Sequence, residues 1–332
     1  MVRIYRESDV TPLVRERLAK MRVAVIGFGN QGRAQALNLR DSGARVLIGN
    51  IADDYFERAK EDGFETKPIA EAVKGADVVM LLLPDEPAPE VFKREVEPNL
   101  KPGAAIAFAS GYNVTFDRIK APAAHDCLLL APRMIGRGVR ELYLSGEGFH
   151  SLVAVHHDAT GHAHETLLAL SLGVGTLKRG AVEVDFRTET ELDLFNEQAF
   201  GPAFGHVLLA AIKTLIDAGY PKEAVFLELY LSGEFSYICK DMAETGLVKQ
   251  LDHHSPTSQY GAISRGIRFL PLKAKRPMKA ILENIRSGKF AREWKWEQKL
   301  GRFRFKLLRF FAVRQPFVKL ERAVRVKLGL QP

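Results

Sequence analysis

Residues 22–32 read Arg22-Val23-Ala24-Val25-Ile26-Gly27-Phe28-Gly29-Asn30-Gln31-Gly32. A short apolar run bounded by glycine marks a buried parallel strand, and a helix is expected to follow at once. The helical stretch 33–40 ends near Asp41-Ser42-Gly43. A second strand at 45–48 then completes a strand–helix–strand unit of about thirty residues. A G-x-G-x-x-G pattern alone is a weak signal, but between a strand and a helix each glycine has a task. Gly27 makes the tight turn, Gly29 lets the backbone approach a pyrophosphate, and Gly32 permits close packing of helix on sheet. The helix N-terminus offers unpaired N–H groups and positive partial charge to the phosphates. Gly27, Phe28, Gly29, Asn30, Gln31 and Gly32 are therefore the expected dinucleotide-binding residues.

Further strands are expected at 78–83, 104–108, 127–130 and 152–155, separated by helical or loop segments. That alternation predicts an α/β architecture, a Rossmann-type doubly wound parallel sheet. After about Val184 strand signals vanish and apolar residues recur at three and four spacing. Helices are expected at 191–218, 222–245, 275–294 and 302–328, with a polar loop at 251–258 and no internal repeat. The chain therefore divides into a dinucleotide-binding domain, 1–184, and an all-α domain, 185–332.

Composition bounds the partners. With 332 residues, 46% apolar and 27% charged, the chain has the profile of a globular protein with room for two domains. No run approaches the roughly 18 uninterrupted apolar residues of a membrane span, and the first twenty residues are charged throughout, which points to the cytoplasm. Cys127 and Cys239 lie in apolar runs without ligand spacing and are expected to pack in the core. From Arg286 onward, fourteen Lys or Arg face three Glu, +11, which leaves −3 for the rest of a chain whose total is +8. The stretch Arg302-Phe303-Arg304-Phe305-Lys306-Leu307-Leu308-Arg309-Phe310-Phe311 could meet nucleic acid or an anionic membrane surface. A packed amphipathic element with a solvated basic face is the favoured expectation, because no nucleic-acid reader motif accompanies the charge.

The loop after the second strand reads Gly49-Asn50-Ile51-Ala52-Asp53-Asp54-Tyr55 and contains no Arg or Lys. A 2′-phosphate beside two carboxylates would be repelled, whereas ribose hydroxyls can donate to them. Asn50, Asp53 and Asp54 thus favour NADH over NADPH; the competing reading makes the two acids caps of the next helix. In the second domain, Asp193 and Glu197 are four apart and share a helix face, where like charges call for a cation. Glu228 stands in an apolar run and needs a partner as well. A nicotinamide cofactor beside carboxylate-bound Mg²⁺ suits reduction of a carbonyl that the metal polarises.

The chain resembles the ketol-acid reductoisomerases, which isomerise and reduce acetohydroxy acids in branched-chain amino-acid synthesis. The likeness lies in residues 27–43, in Leu82-Leu83-Pro84-Asp85-Glu86, in Asp193-Leu194-Phe195-Asn196-Glu197-Gln198 and in Ile285-Arg286-Ser287-Gly288-Lys289-Phe290-Ala291-Arg292-Glu293-Trp294. It implies a Rossmann domain followed by a knotted helical domain, two Mg²⁺ ions, and an active site shared across a homodimer acting on a small 2-oxo acid-type substrate. Carried over by position, Leu83, Pro84, Asp85 and Ser110 join the cofactor site, Asp193, Glu197 and Glu228 bind metal, and Arg133, Glu228 and Ser255 are catalytic.

Three positions depart from the family pattern. Ser232 stands for the last metal acid, Arg133 for the active-site lysine, and Ser110 for a histidine. If a missing ligand and base together remove about 4 kcal/mol from the migration transition state, isomerisation slows roughly a thousandfold. Hydride transfer needs only a polarising charge, such as one cation or Arg133. The expectation is an NADH-preferring, Mg²⁺-assisted reductase of a 2-oxo acid, 3-hydroxy-2-oxo acid or related carbonyl or imine. The rivals are a working reductoisomerase and a non-catalytic nucleotide-binding protein with an anionic partner. Glu234, six residues beyond Glu228, starts on another face and could substitute only where Gly233 distorts the helix. Most of His156, His157, His162 and His164 are expected to be solvated, with a metal role as the lesser alternative, and His254, beside Ser255, is a better-placed candidate for substrate contact.

Overall fold

The computed structural model describes residues 2–269 and 273–331. It separates into two compact units, Met1–Asp193 and Leu194–Pro332. The first is built on nine strands: β1 Ile4–Tyr5, β2 Arg22–Ile26, β3 Arg45–Gly49, β4 Glu65–Lys67, β5 Val78–Leu81, β6 Ala105–Phe108, β7 Asp126–Pro132, β8 Ser151–His157 and β9 Ala181–Glu183. They form one sheet in the order β1-β9-β8-β7-β6-β5-β2-β3-β4. From β7 to β4 every neighbouring pair is parallel, and the order reverses beside β2, where an open α/β sheet places its ligand crevice.

The sheet is mixed, in correction of the all-parallel expectation. β7 pairs antiparallel with β8, and β1 with β9, while β8 and β9 are parallel. A strand buried on both faces is a continuous apolar run whichever way it points, so composition does not encode its direction. β1, β4 and β9, of two or three residues, are too short to show a pattern. β2 shows why this half is stable. Val23 and Val25 enter one buried cluster with Leu39, Leu128 and Leu130; Ala24 and Ile26 enter another with Val79, Ile106 and Leu129. That is the two-residue period of a strand covered on both sides. Cys127 is buried and its thiol is pushed up to about 12 by burial. Cys239 is exposed, against the packing expected of it.

The helix Phe186–Phe195 passes through a π turn, Asn196–Phe200, into Gly201–Asp217. By length and composition alone this 32-residue rod could cross a membrane, which the sequence reading did not anticipate; 11% of its most apolar window is buried. Its first half carries Arg187, Glu189, Glu191, Asp193 and Glu197. The single helices expected beyond it are each split. Gly233 at φ +85° separates the pieces Lys222–Phe226 and Leu227–Leu231 from Glu234–Thr245. Gly288 at φ +69° separates Lys275–Arg286 from Lys289–Lys299, and Pro316 opens Pro316–Lys327 after Phe303–Ala312. Residues 256–258, expected in a polar loop, begin the helix Pro256–Gly266.

The second unit gathers Ile212, Val225, Phe226 and Val324 in a small core, with Phe226 stacked on Phe317 at 5.8 Å. Phe200, Phe204, Val207, Tyr237, Leu247 and Tyr260 stay exposed. Every residue of the helix Phe303–Ala312 is exposed, so the element expected to be packed there rests on Lys289–Lys299 through a few contacts and buries none of its residues.

Candidate functional site

The glycine turn is built as close approach demands. Gly27 has φ +95°, and a Cβ there would lie 2.8 Å from the Leu82 carbonyl oxygen. A Cβ on Gly32 would lie 2.0 Å from the Gly27 carbonyl oxygen. At Gly29, by contrast, nothing lies within 4 Å, so the turn is open where a ligand would approach. Gly29 caps the helix Asn30–Asp41 with no side-chain bond, which leaves its first N–H groups for an anion. A cavity of about 650 Å³ runs from this turn past Asn50, Asp53 and Tyr55 on one side and past Leu83, Pro84 and Asp85 to Ser110 and Asn113 on the other. Gly136 was not anticipated from sequence: a Cβ there would lie 2.1 Å from the Asn30 carbonyl oxygen, so the turn is backed by a third obligatory glycine.

Asp53 does cap the helix Asp54–Glu61, as the competing reading held, but through one oxygen. Its Oδ1 accepts from Tyr55 N at 3.0 Å, Phe56 N at 3.1 Å and Asn50 Nδ2 at 2.7 Å. The capping thus orients Oδ2 without using it. Arg33, the first cation after the glycine turn, is held by Asp62 through two hydrogen bonds of 2.6 and 3.0 Å.

Beyond Ser110 the first unit holds a charged cluster. Gly111 N donates to Glu189 Oε2 at 2.8 Å, and a Cβ on Gly111 would strike Phe186 O and Thr190 Oγ1, each at 2.6 Å. Glu189 is 1% exposed, and Arg133, at the end of β7, donates to its Oε1 at 3.2 Å through one guanidinium nitrogen and to Asp193 through the other. Burial pushes the Glu189 carboxyl up to about 7, reinforced by Asp193 and opposed by Gly111 N–H and Arg133. Asp85, in the cavity wall, accepts from Asn113 Nδ2 at 3.0 Å. Glu189 was missed from sequence, although it precedes Asp193 by four residues on one helix face, the same spacing that singled out Glu197.

Other expected residues lie apart from this cluster. Glu228 is exposed on the π turn Leu227–Leu231, not buried among apolar neighbours as expected. Ser255 caps Pro256–Gly266, accepting from Ser258 N at 3.3 Å, and His254 Nε2 lies 3.1 Å from Gln250 Oε1. Among the described residues no group of three or more His, Cys, Asp or Glu side chains is gathered to hold a metal ion, the four histidines included. The donor chemistry of Asp193, Glu197 and Glu228, all hard carboxylate oxygens, still suits Mg²⁺.

Residues 17–180 match the family model described as acetohydroxy acid isomeroreductase, NADPH-binding domain. Residues 186–328 match that of the ketol-acid reductoisomerase C-terminal domain. The chain belongs to the ketol-acid reductoisomerase family. A ketol-acid reductoisomerase (NADP(+)) from Methanopyrus kandleri is 40% identical over 334 residues, covering 100% of both chains. The solved structure of an NADH-preferring ketol-acid reductoisomerase from an uncultured archean is similar with a TM-score of 0.89 and 34% identity, over 97% of this chain and 98% of that one. A pyrroline-5-carboxylate reductase from Coxiella burnetii, at 16% identity, TM-score 0.57 and coverage of 81% and 98%, shares the fold alone. The protein is a ketol-acid reductoisomerase-like oxidoreductase that uses a nicotinamide dinucleotide.

Proposed function

We propose that the protein is an NADH-preferring reductase that delivers hydride to the carbonyl carbon of a 2-oxo acid, a 3-hydroxy-2-oxo acid, or a related carbonyl or imine, without efficient alkyl migration. What carries this reading is a complete dinucleotide cradle beside three changes, Ser110, Arg133 and Ser232, at positions the family pattern gives to histidine, lysine and a metal acid. Migration needs both oxygens of a ketol clamped while a proton leaves, whereas reduction needs only the developing alkoxide stabilised. Arg133, fixed between Glu189 and Asp193, supplies a positive charge for that task. Asp53 Oδ2 accepts from a ribose hydroxyl, and the loop 49–55 has no cation for a 2′-phosphate.

Asp193, Glu197 and Glu228 would hold Mg²⁺, in a homodimer with a shared site. When bound, the ion supplies Lewis-acid polarisation of the substrate oxygen. Ser255 contacts substrate, and His254 stands beside it.

Assaying acetolactate against 3-hydroxy-3-methyl-2-oxobutyrate, each with NADH and NADPH, tests the reading. Turnover of the second compound alone, with tighter binding of NADH, supports it. Tighter binding of NADPH overturns the cofactor assignment. Efficient turnover of acetolactate would make the protein a working reductoisomerase, the alternative that 40% identity over the whole length favours.

A further inference from the structure

The helix Phe303–Ala312 carries Phe303, Leu307, Phe310 and Phe311 at spacings of four, three and one, which on a helix is a single stripe. These side chains are 69%, 44%, 48% and 60% exposed. The other side of the helix is tied down. Opposite the stripe, the Phe305 ring meets Trp294 edge-on at 5.9 Å and Phe305 N donates to Glu297 Oε2 at 3.0 Å, while Arg304, at the stripe's edge beside Phe311, donates to Glu293 at 2.9 Å. The anchoring holds the helix on its neighbour, Lys289–Lys299, and leaves the stripe facing outward. Lys306 and Arg309 flank the stripe with no ion-pair partner among the described residues, and the Arg314 guanidinium lies 3.5 Å from the Phe310 ring centroid, at the stripe's end. The segment from Arg286 onward has fourteen basic against three acidic residues.

We infer that this helix docks the protein peripherally on an anionic lipid surface, with the Phe and Leu stripe entering the interface and Lys306, Arg309 and Arg314 meeting the headgroups. Charge decides the occupant. A basic helix with an aromatic face has the composition of interfacial anchors, and it complements anionic lipid. A second copy bringing the same helix would set like charge against like. A nucleic acid would leave the aliphatic Leu307 and the rest of a continuous apolar stripe without a stacking or groove contact.

Co-sedimentation of the full chain with vesicles tests this. Vesicles with about a third phosphatidylglycerol are expected to bind at least tenfold more protein than pure phosphatidylcholine, with the excess lost between about 50 and 500 mM NaCl. The double variant Phe310→Ser/Phe311→Ser, and separately Lys306→Gln/Arg309→Gln, are expected to lower binding about tenfold while leaving NADH affinity unchanged. Sedimentation velocity of both variants controls for assembly. Equal binding to both vesicle types, or none, overturns the inference. So does a serine variant that changes the oligomeric state but not vesicle binding, since a second copy then covers the stripe. RNA displacing the protein from vesicles at equal charge concentration would reassign the surface to nucleic acid.

Discussion

The strand-built half and the helical half bury their apolar residues in different ways. In the first, alternate residues of β2 feed two buried clusters, one on each face of the sheet. In the second, Ile212, Val225, Phe226 and Val324 form a modest core while Phe204, Val207, Tyr237 and Tyr260 face outward. A unit that exposes this much large apolar surface is completed by something outside itself. The first half is thus a finished platform for the cofactor, and the second leaves large apolar side chains uncovered, as the proposed homodimer would require.

The largest effect is expected at Gly32, where a new Cβ would meet the Gly27 carbonyl oxygen at 2.0 Å. Gly32→Val should cost more than about 4 kcal/mol, enough to prevent recovery of folded protein. Gly29→Ala meets nothing within 4 Å, so its melting temperature should stay within a few degrees of the native value while NADH affinity falls at least tenfold. Thermal melts and NADH titration of both variants check this, and parallel behaviour of the two would mean the turn is not the cofactor cradle.

In the helical half the equivalent test is Phe226→Ala, which removes a fully buried ring stacked on Phe317. About 4 kcal/mol is expected from the lost transfer energy and the cavity. Under the proposed homodimer, binding of a second copy stabilises by mass action, and denaturant midpoints of the helical half should rise with protein concentration. Those of the sheet half should not. Fluorescence of Trp294 and Trp296, both in the helical half, and fluorescence of bound NADH, followed at two concentrations a hundredfold apart, separate the halves.

The same contrast explains how far the chain could be read. Residues 22–49 were legible because every local signal agrees: an apolar strand, three glycines with separate tasks, a polar loop and a second strand. The direction of β8 was not, since reversing a buried run leaves its composition unchanged. The helical half was legible in kind but not in extent. The breaks at Gly233 and Gly288 depend on positive φ, which glycine permits and does not compel. At the site, Asp193 was named for its spacing from Glu197, yet Glu189 at the same spacing on the other side was passed over. Its importance lies in burial and in its bonds to Gly111 and Arg133, which are tertiary facts.

Glu189 makes a smaller, pH-dependent prediction inside the finished half. Burial raises its carboxyl from 4.5 to about 7 in the folded chain. Its contribution to stability is therefore fully present below pH 4.5 and is lost as pH rises through 7. The loss amounts to at most about 3 kcal/mol. Urea unfolding at pH 5.5 and 8.5 should show this slope in the native protein and not in Glu189→Gln. An identical slope in the variant would place the titration elsewhere.

The smallest effect returns to the helical half. Phe310 is the same residue type as Phe226, but it is 48% exposed and its recorded partners are Phe311, 5.5 Å away, and the Arg314 guanidinium. Phe310→Ser opens no cavity. It forfeits a surface cation–π contact of about 0.5–1 kcal/mol, and otherwise lies within the range of ordinary surface changes. Urea unfolding of the purified protein without lipid should therefore show a loss under about 1 kcal/mol, against about 4 for Phe226→Ala. A loss as large as that of Phe226 would mean that the helix Phe303–Ala312 is covered by protein in the working assembly. The outward stripe would then belong to the same unfinished core as Phe204 and Val207.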